Sequence, residues 1–291
     1  MILRGSVPAP RTPATLWIRA TMRAGDTERR GSVYLVEMET RPHTLDVVAR
    51  WLRDARSVTA LTGAGISTDS AIPDFRGPQG LWTKDPGAQR RATLAHYLAS
   101  RQARVEVWLM RMEHPARTVG PNSGHRALVG LERKGRLHTL VTQNIDGLHL
   151  KAGTSPDILV EIHGSMRDVV CMSCGDRAPM DEALARVGAG EEDPECRSCG
   201  GILKSATISF GQSLDAADLR RAQLAAAGSD VFVAVGTSLA VYPVAHLPQI
   251  AMESGARLVI LNAEPTPYDG IADAVLRDPL SETLPELADA V

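Results

Sequence analysis

Thr62-Gly63-Ala64-Gly65-Ile66-Ser67-Thr68-Asp69-Ser70-Ala71-Ile72-Pro73-Asp74-Phe75-Arg76-Gly77 follows directly on the apolar run Val58-Thr59-Ala60-Leu61. The run reads as a buried parallel strand. Gly63 and Gly65 then let the backbone turn tightly and approach a flat, charged ligand. By itself G-x-G-x-x-T is an incomplete dinucleotide fingerprint. Asp74, Phe75 and Arg76 add an acid, an aromatic plane and a guanidinium at consecutive positions, a combination for which a plain turn has no use.

Outward from this loop, helices and strands alternate. Upstream, Thr44 caps a helix with Asp46 in its first turn and Leu45, Val48, Ala49 and Leu52 on one face. Downstream, residues 78–120 read as a small helical module with Trp82 and Trp108 as core anchors. Pro121-Asn122-Ser123 opens a helix through Leu131, and Leu137–Val141 is the next buried strand. That strand runs into Thr142-Gln143-Asn144-Ile145-Asp146-Gly147-Leu148-His149. Polar groups crowded just past a strand's C-terminal end are where open α/β sheets hold ligands. An Asx-rich turn accounts for Asn144, Asp146 and Gly147, but not for Gln143 and His149 beside them.

Asp157–Ile162 is another strand, ending in His163-Gly164-Ser165. Of the eight histidines, His163 alone sits at a strand end directly before a glycine turn. Ile202–Phe210 reads as a returning strand that ends in Phe210-Gly211, followed by a helix over Asp215–Ala227. Val231–Val235 is buried on both sides and ends in Gly236-Thr237-Ser238-Leu239, a second small-residue loop able to offer amides and a hydroxyl to phosphate. Arg257–Leu261 leads into Asn262-Ala263-Glu264, Ala272–Leu276 is a last short strand, and Glu282–Val291 a terminal helix. The pattern is that of a Rossmann-like, doubly wound parallel sheet of the α/β class.

The four cysteines form two C-x-x-C knuckles, Cys171/Cys174 and Cys196/Cys199, with 21 residues between them. Four thiolates in two pairs suit tetrahedral zinc and leave no coordination position open for chemistry. Disulfides within a C-x-x-C are strained, and nothing else in the sequence speaks for an oxidising compartment. The knuckles therefore read as a structural zinc ribbon over about residues 166–205, inserted in the main sheet.

Composition sets outer bounds. The chain has 291 residues, 44% of them hydrophobic and 23% charged, with a net charge of −2. That is an ordinary balance for a soluble protein, and no apolar run approaches the roughly 20 residues of a membrane span. Asp181, Glu182, Glu191, Glu192, Asp193 and Glu195 flank the zinc ribbon and suit a nucleic-acid backbone poorly. Residues 1–40 read as a disordered extension, or as translation from a start upstream of a working Met38. Their arginines resemble a transit peptide's, but Pro8, Pro10 and Pro13 would interrupt its helix. A cytoplasmic monomer is the expectation.

Over residues 44–290 the sequence resembles the sirtuins, NAD-dependent protein-lysine deacylases. The likeness rests on GAGIS, IPDFRG, TQNIDGLH, IHGS, the two knuckles, FG, GTSL and N-A-E, all in one order. It implies a catalytic domain over residues 41–291 with NAD and an acyl-lysine peptide meeting between the sheet and a zinc-plus-helical lobe. By motif, Gly63, Ala64, Gly65, Asp74, Phe75 and Arg76 would line the NAD loop. Gln143 and Asn144 would hold the nicotinamide ribose, and Ile145 and Asp146 the carboxamide. Gly236, Thr237 and Ser238 would take phosphate, with Asn262 and Glu264 at the adenosine end. His163 would be the general base, Asn144 its catalytic companion, and Phe210, Gly211, Val241 and Tyr242 would flank the peptide as added strands. The products implied are free lysine, nicotinamide and an O-acyl-ADP-ribose. A mono-ADP-ribosyltransferase using the same pocket, and a non-catalytic NAD sensor, are the competing readings.

The sequence departs from the family pattern at Ala71, where glycine is usual, at Ser205, where proline is frequent, and at Gln212, where glutamate is frequent. The last two bear on peptide preference. Desuccinylating relatives carry Tyr-x-x-Arg; the nearest match, Tyr97 with Arg101, is one residue too long, so acetyl or another neutral acyl group is expected over succinyl.

Overall fold

Val58–Thr62 is buried at every position and forms β1, the centre of a parallel sheet. The computed structural model describes residues 41–85 and 87–291; the expected extension at 1–40 lies outside the described residues. β2 (Thr139–Thr142) and β3 (Leu159–Glu161) follow, then β4 (Gly164–Cys171), β5 (Arg177–Pro179) and β6 (Leu203–Thr207), and finally β7 (Val231–Val235), β8 (Arg257–Leu261) and β9 (Ala274–Leu276). The main sheet runs β3-β2-β1-β7-β8-β9, all parallel. Chain order reverses between β1 and β7, the switch point beside which doubly wound sheets bind ligands.

The helices are α1 (Arg41–Asp54), α2 (Leu81–Lys84), α3 (Ala88–Arg91), α4 (Leu94–Ala99), α5 (Arg101–Met112), α6 (Ser123–Arg133), α7 (Leu148–Ala152), α8 (Met180–Gly188), α9 (Ala216–Ala227), α10 (Leu247–Glu253) and α11 (Leu280–Ala290). Strand pleating sends alternate residues to opposite faces. Val231, Val233 and Val235 pack with Leu128, Leu131 and Leu284 of α6 and α11. Phe232 and Ala234 pack with Ala222, Leu247 and Ala251 of α9 and α10. Each such side chain withdrawn from water contributes about 1.5–3 kcal/mol when large and aliphatic, so both faces of β7 drive its burial. Among the described residues no helix is long and apolar enough to cross a membrane.

Several boundaries differ from the sequence reading. α1 begins at Arg41, so Thr44 lies inside it, buried, and is not its cap. Asn122 and Asp215 do cap α6 and α9, accepting from the amides of His125 and of Ala217 and Asp218. The returning strand ends at Thr207 and pairs antiparallel with β4, not with the main sheet. β4 itself was not anticipated; with β5 and β6 it makes a three-stranded sheet carrying both knuckles. Trp108 is fully buried as expected. Trp82 is only half-buried and lies between Phe75 and Phe210, ring centroids 4.8 and 5.5 Å away.

Candidate functional site

At the switch point the loops after β1 and β7 interlock backbone to backbone. The Gly63 amide donates to Val235 O at 3.0 Å and the Gly65 amide to Gly236 O at 2.9 Å. Gly236 has φ +59, and a Cβ there would lie 2.5 Å from the Ile66 nitrogen. Glycine is therefore required at Gly236 twice over, by conformation and by space. Such a cradle leaves no room for side chains and presents main chain, which suits a diphosphate.

The loop continues as a 3-10 turn, Ala64–Ser70, closed by Ala71 in the left-handed region at φ 60, ψ 24. This explains why glycine is usual here. The left-handed conformation costs alanine about 1–2 kcal/mol, part of which glycine returns as chain entropy. Ala71→Gly is expected to raise unfolding stability by about 0.5–1 kcal/mol, read from urea midpoints. A loss of stability would show that the strain is absent.

Beyond the turn, the Asp74 carboxylate accepts from the Gly77 amide at 3.0 Å and closes its own turn. Phe75, 39% exposed, leans on Trp82, while the Arg76 guanidinium sits over the Trp82 ring at 4.5 Å. Trp82 thus anchors the loop that carries Phe75 and Arg76 through an aromatic contact and a cation–π contact, each worth on the order of 1 kcal/mol. Trp82→Ala is expected to raise KM for the dinucleotide about tenfold with little change in zinc content. An unchanged KM would remove Trp82 from this role.

The 143–146 loop is tied to the first by a set of short hydrogen bonds. Asn144 Nδ2 donates to Gly63 O at 3.0 Å and to Ser67 Oγ at 3.1 Å. Because a carbonyl only accepts, this fixes the amide's orientation and makes Oδ1 the atom Asn144 offers to a ligand. Ser67 Oγ donates to Asp146 Oδ2 at 2.8 Å, and the Leu148 amide donates to Asp146 Oδ1 at 2.9 Å. Burial pushes the Asp146 carboxyl above its usual range, against those two bonds. Gln143 Nε2 donates to Thr237 Oγ1 at 2.8 Å and spans the switch point. Asn262 Nδ2 donates to Glu264 O, and Arg277 Nη1 donates to Asn262 O, each at 2.7 Å.

His163 follows β3, and its Nδ1 lies 3.0 Å from Gln143 O. The carbonyl requires the proton on Nδ1, so Nε2 keeps its lone pair. Burial lowers the imidazole pKa below 6.5, partly offset by the Gln143 bond, so the ring is neutral at neutral pH. Gly164 makes this placement possible: φ is +72, and a Cβ would lie 2.1 Å from Ala206 O. After β6, Phe210 uses its main chain on the helical module, donating to Ala92 O at 3.1 Å and accepting from the Leu94 amide at 2.9 Å. Gly211 has φ +81 with open space around it, and Tyr242 is 62% exposed.

Three supporting groups escaped the sequence reading as site residues. Ser67 joins Asn144 to Asp146 from inside the first loop. Beneath the site His149 Nε2 meets Thr62 Oγ1 at 3.0 Å, and its ring packs 4.9 Å from that of His125. His125 Nδ1 in turn meets Asn122 Oδ1 at 3.0 Å, while Asn122 Nδ2 donates to Ile66 O. Burial lowers these two imidazoles to about 3 and about 4, so both are neutral scaffolding. His149 was notable in the sequence, but no local signal shows its partners.

The four cysteine Sγ atoms lie within 4.8 Å of one another. Cys171–Cys199 is 3.5 Å and Cys174–Cys196 3.7 Å, so each close pair takes one sulfur from each knuckle. These spacings exceed the roughly 2.05 Å of a disulfide and suit four thiolates around one zinc. Cys171 and Cys196 are buried with Trp108, Val169 and Leu203.

Glycine amides at the switch point of a parallel sheet, with an uncharged histidine held by the main chain of the neighbouring strand-end loop, place the chain among α/β enzymes that act on bound dinucleotides. Residues 63–243 match the model of the Sir2 family. The chain is 51% identical over 230 residues to NAD-dependent protein deacetylase 2 of Streptomyces coelicolor, covering 79% of this chain and 95% of that protein. It is 42% identical to NAD-dependent protein deacetylase 1 of Pyrobaculum aerophilum, covering 84% and 94%. A solved structure described as Sir2 bound to acetylated peptide superposes with TM-score 0.75 at 29% identity, covering 84% and 97%. The chain belongs to the Sir2 family.

Proposed function

We propose that the chain removes acetyl groups from protein lysine side chains with NAD as co-substrate, releasing nicotinamide and O-acetyl-ADP-ribose. The observation that carries this reading is the neutral His163, with Nδ1–H held by Gln143 O and Nε2 free to take a proton. When bound, NAD supplies a ribose carbon that turns electrophilic as the cationic nicotinamide departs. Gly63, Ala64 and Gly65 would line its loop, Gly236, Thr237 and Ser238 would hold phosphate, and Asn262 and Glu264 the adenosine end. Asn144 and Gln143 would orient the ribose, and Ile145 and Asp146 the carboxamide. His163 Nε2 receives the ribose hydroxyl proton, a role for which an imidazole pKa near or below working pH is suited. Zinc holds the lobe and takes no part in bond making.

Acyl-lysine proteins as substrates accord with the relatives' names and with the Sir2 structure bound to acetylated peptide. Val241 and Tyr242, with Phe210 and Gly211, would flank the peptide as added strands. A neutral acyl group accords with Tyr97 and Arg101 lying apart in role: the Tyr97 hydroxyl donates to Leu203 O at 2.7 Å, and Arg101 pairs with exposed Glu192. We take the working unit as a cytoplasmic monomer, testable by light scattering and cell fractionation.

The test is mass spectrometry of products from NAD and an acetyl-lysine peptide. Nicotinamide, deacetylated peptide and acetyl-ADP-ribose in equal amounts are expected, with the succinyl peptide much slower. ADP-ribose fixed on protein without acyl transfer would replace this reading with the transferase, and bound NAD without turnover would replace it with the sensor.

A further inference from the structure

The helical module and the zinc ribbon share one core, since Trp108 of α5 packs with Val169, Cys171, Cys196 and Leu203. At its rim Arg104 of α5 meets Asp193, three residues before the knuckle cysteine Cys196. Arg104 Nε lies 3.1 and 2.9 Å from the two carboxylate oxygens, and Nη2 lies 2.8 Å from Oδ2. The two side chains are only 12% and 14% exposed. A forked, charge-assisted pair this dry is held firmly, and removing one partner is costly. The neighbouring Arg101–Glu192 pair is more than 60% exposed on both sides and adds little.

The guanidinium has one nitrogen left. Nη1 donates to Leu98 O at 3.2 Å and to Tyr97 O at 3.4 Å, carbonyls of the last turn of α4, where a cation is favoured. The other end of α4 leads to the peptide side of the site. Past Ile208, whose amide donates to His163 O at 2.8 Å, the Phe210 amide and carbonyl are hydrogen-bonded to Ala92 and Leu94, at the start of α4. Phe210 is thus placed by α4, and α4 by Arg104, which Asp193 fixes to the zinc ribbon.

We infer that Arg104 and Asp193 are positioning residues for the acyl-lysine peptide, relaying the seating of the zinc ribbon through α4 to Phe210. This rests on the deacetylase reading for its substrate, but the coupling itself can be measured without turnover. The full-length protein is compared with Asp193→Asn and Arg104→Lys. Lysine preserves the charge opposite Asp193, yet one ammonium cannot hold both the carboxylate and the α4 carbonyls. If the pair served only to steady the zinc ribbon, Arg104→Lys would be silent at Phe210.

The expected result is one zinc per chain and an unchanged NAD dissociation constant in both variants. Amide hydrogen exchange over residues 92–99 and 208–212 should quicken about tenfold. The KM for an acetyl-lysine peptide should rise about tenfold with kcat nearly unchanged. Should Asp193→Asn fail to fold, Arg104→Lys decides alone. Exchange and KM both at native values in Arg104→Lys would overturn the inference. Quickened exchange in Arg104→Lys, with an unsubstituted protein that never turned over acetyl peptide, would sustain the coupling and sink the deacetylase reading instead.

Discussion

His163→Ala is expected to lower kcat for deacetylation by about 10²–10⁴-fold, the usual contribution of a positioned general base, while NAD still binds. His163 is half-buried, and its imidazole is held by Gln143 O, a main-chain atom. The Asn144–Ser67–Asp146 set does not pass through it, so truncation leaves the cofactor loops standing. The pH profile carries the same argument. Burial, the larger influence, holds the His163 pKa below 6.5. The competent base is the neutral ring, so kcat/KM should be flat through neutral pH and fall as pH drops through that lowered pKa. The variant's residual rate should lack this acid limb. The same depression makes the neutral ring a feature of the folded state, so any stability tied to it is lost in the same direction, as pH falls. A variant retaining more than about a tenth of native kcat would remove His163 from the base role.

The sequence showed the main sheet well because its strands are short apolar runs buried on both faces. β7 at Val231–Val235 and β8 at Arg257–Leu261 coincide with the apolar runs read there. β4 was hidden because its burial alternates and Arg167 and Asp168 interrupt it. Those charges are spent sideways, on Glu161 and Arg177, in contacts that no local pattern reveals. β6 carries buried Lys204, Ser205 and Thr207, so its polarity concealed its depth. The site divides in the same way. Gln143, Asn144, Asp146 and His163 stand out in the sequence because polar groups crowd a strand end there, and an Asx-rich turn alone does not account for Gln143 among them. Ser67 acts on residues 77 and 79 positions away. His125 and His149 act under the floor, and their roles follow from the tertiary fold. Asp74, read by its motif position as part of the cofactor loop, also closes a local turn that the sequence reading did not include.

Removing zinc should have the widest effect of any single change. Cys196→Ser, or chelation of the native chain, is expected to abolish deacetylation to below about 1% of native and to open residues 164–207 to proteolysis. The reason is quantitative. Structural zinc in small modules contributes about 10–16 kcal/mol of apparent binding free energy at neutral pH, as much as the roughly 5–15 kcal/mol that holds a whole typical domain. Two of the four sulfurs, Cys171 and Cys196, are buried in the lobe's core, where thiols without the ion cannot replace its four bonds. Trp108 of α5 belongs to that same core, so its loosening reaches the helical module and, through α4, Phe210. The parallel sheet has separate cores on its two faces and contributes no ligand. It should therefore retain its far-UV signature and bind NAD more weakly, not lose it altogether. Zinc added back should restore the chelated native protein but not Cys196→Ser. A zinc-free protein with native activity would show that the lobe's apolar core holds itself together, and would separate the metal from the peptide site.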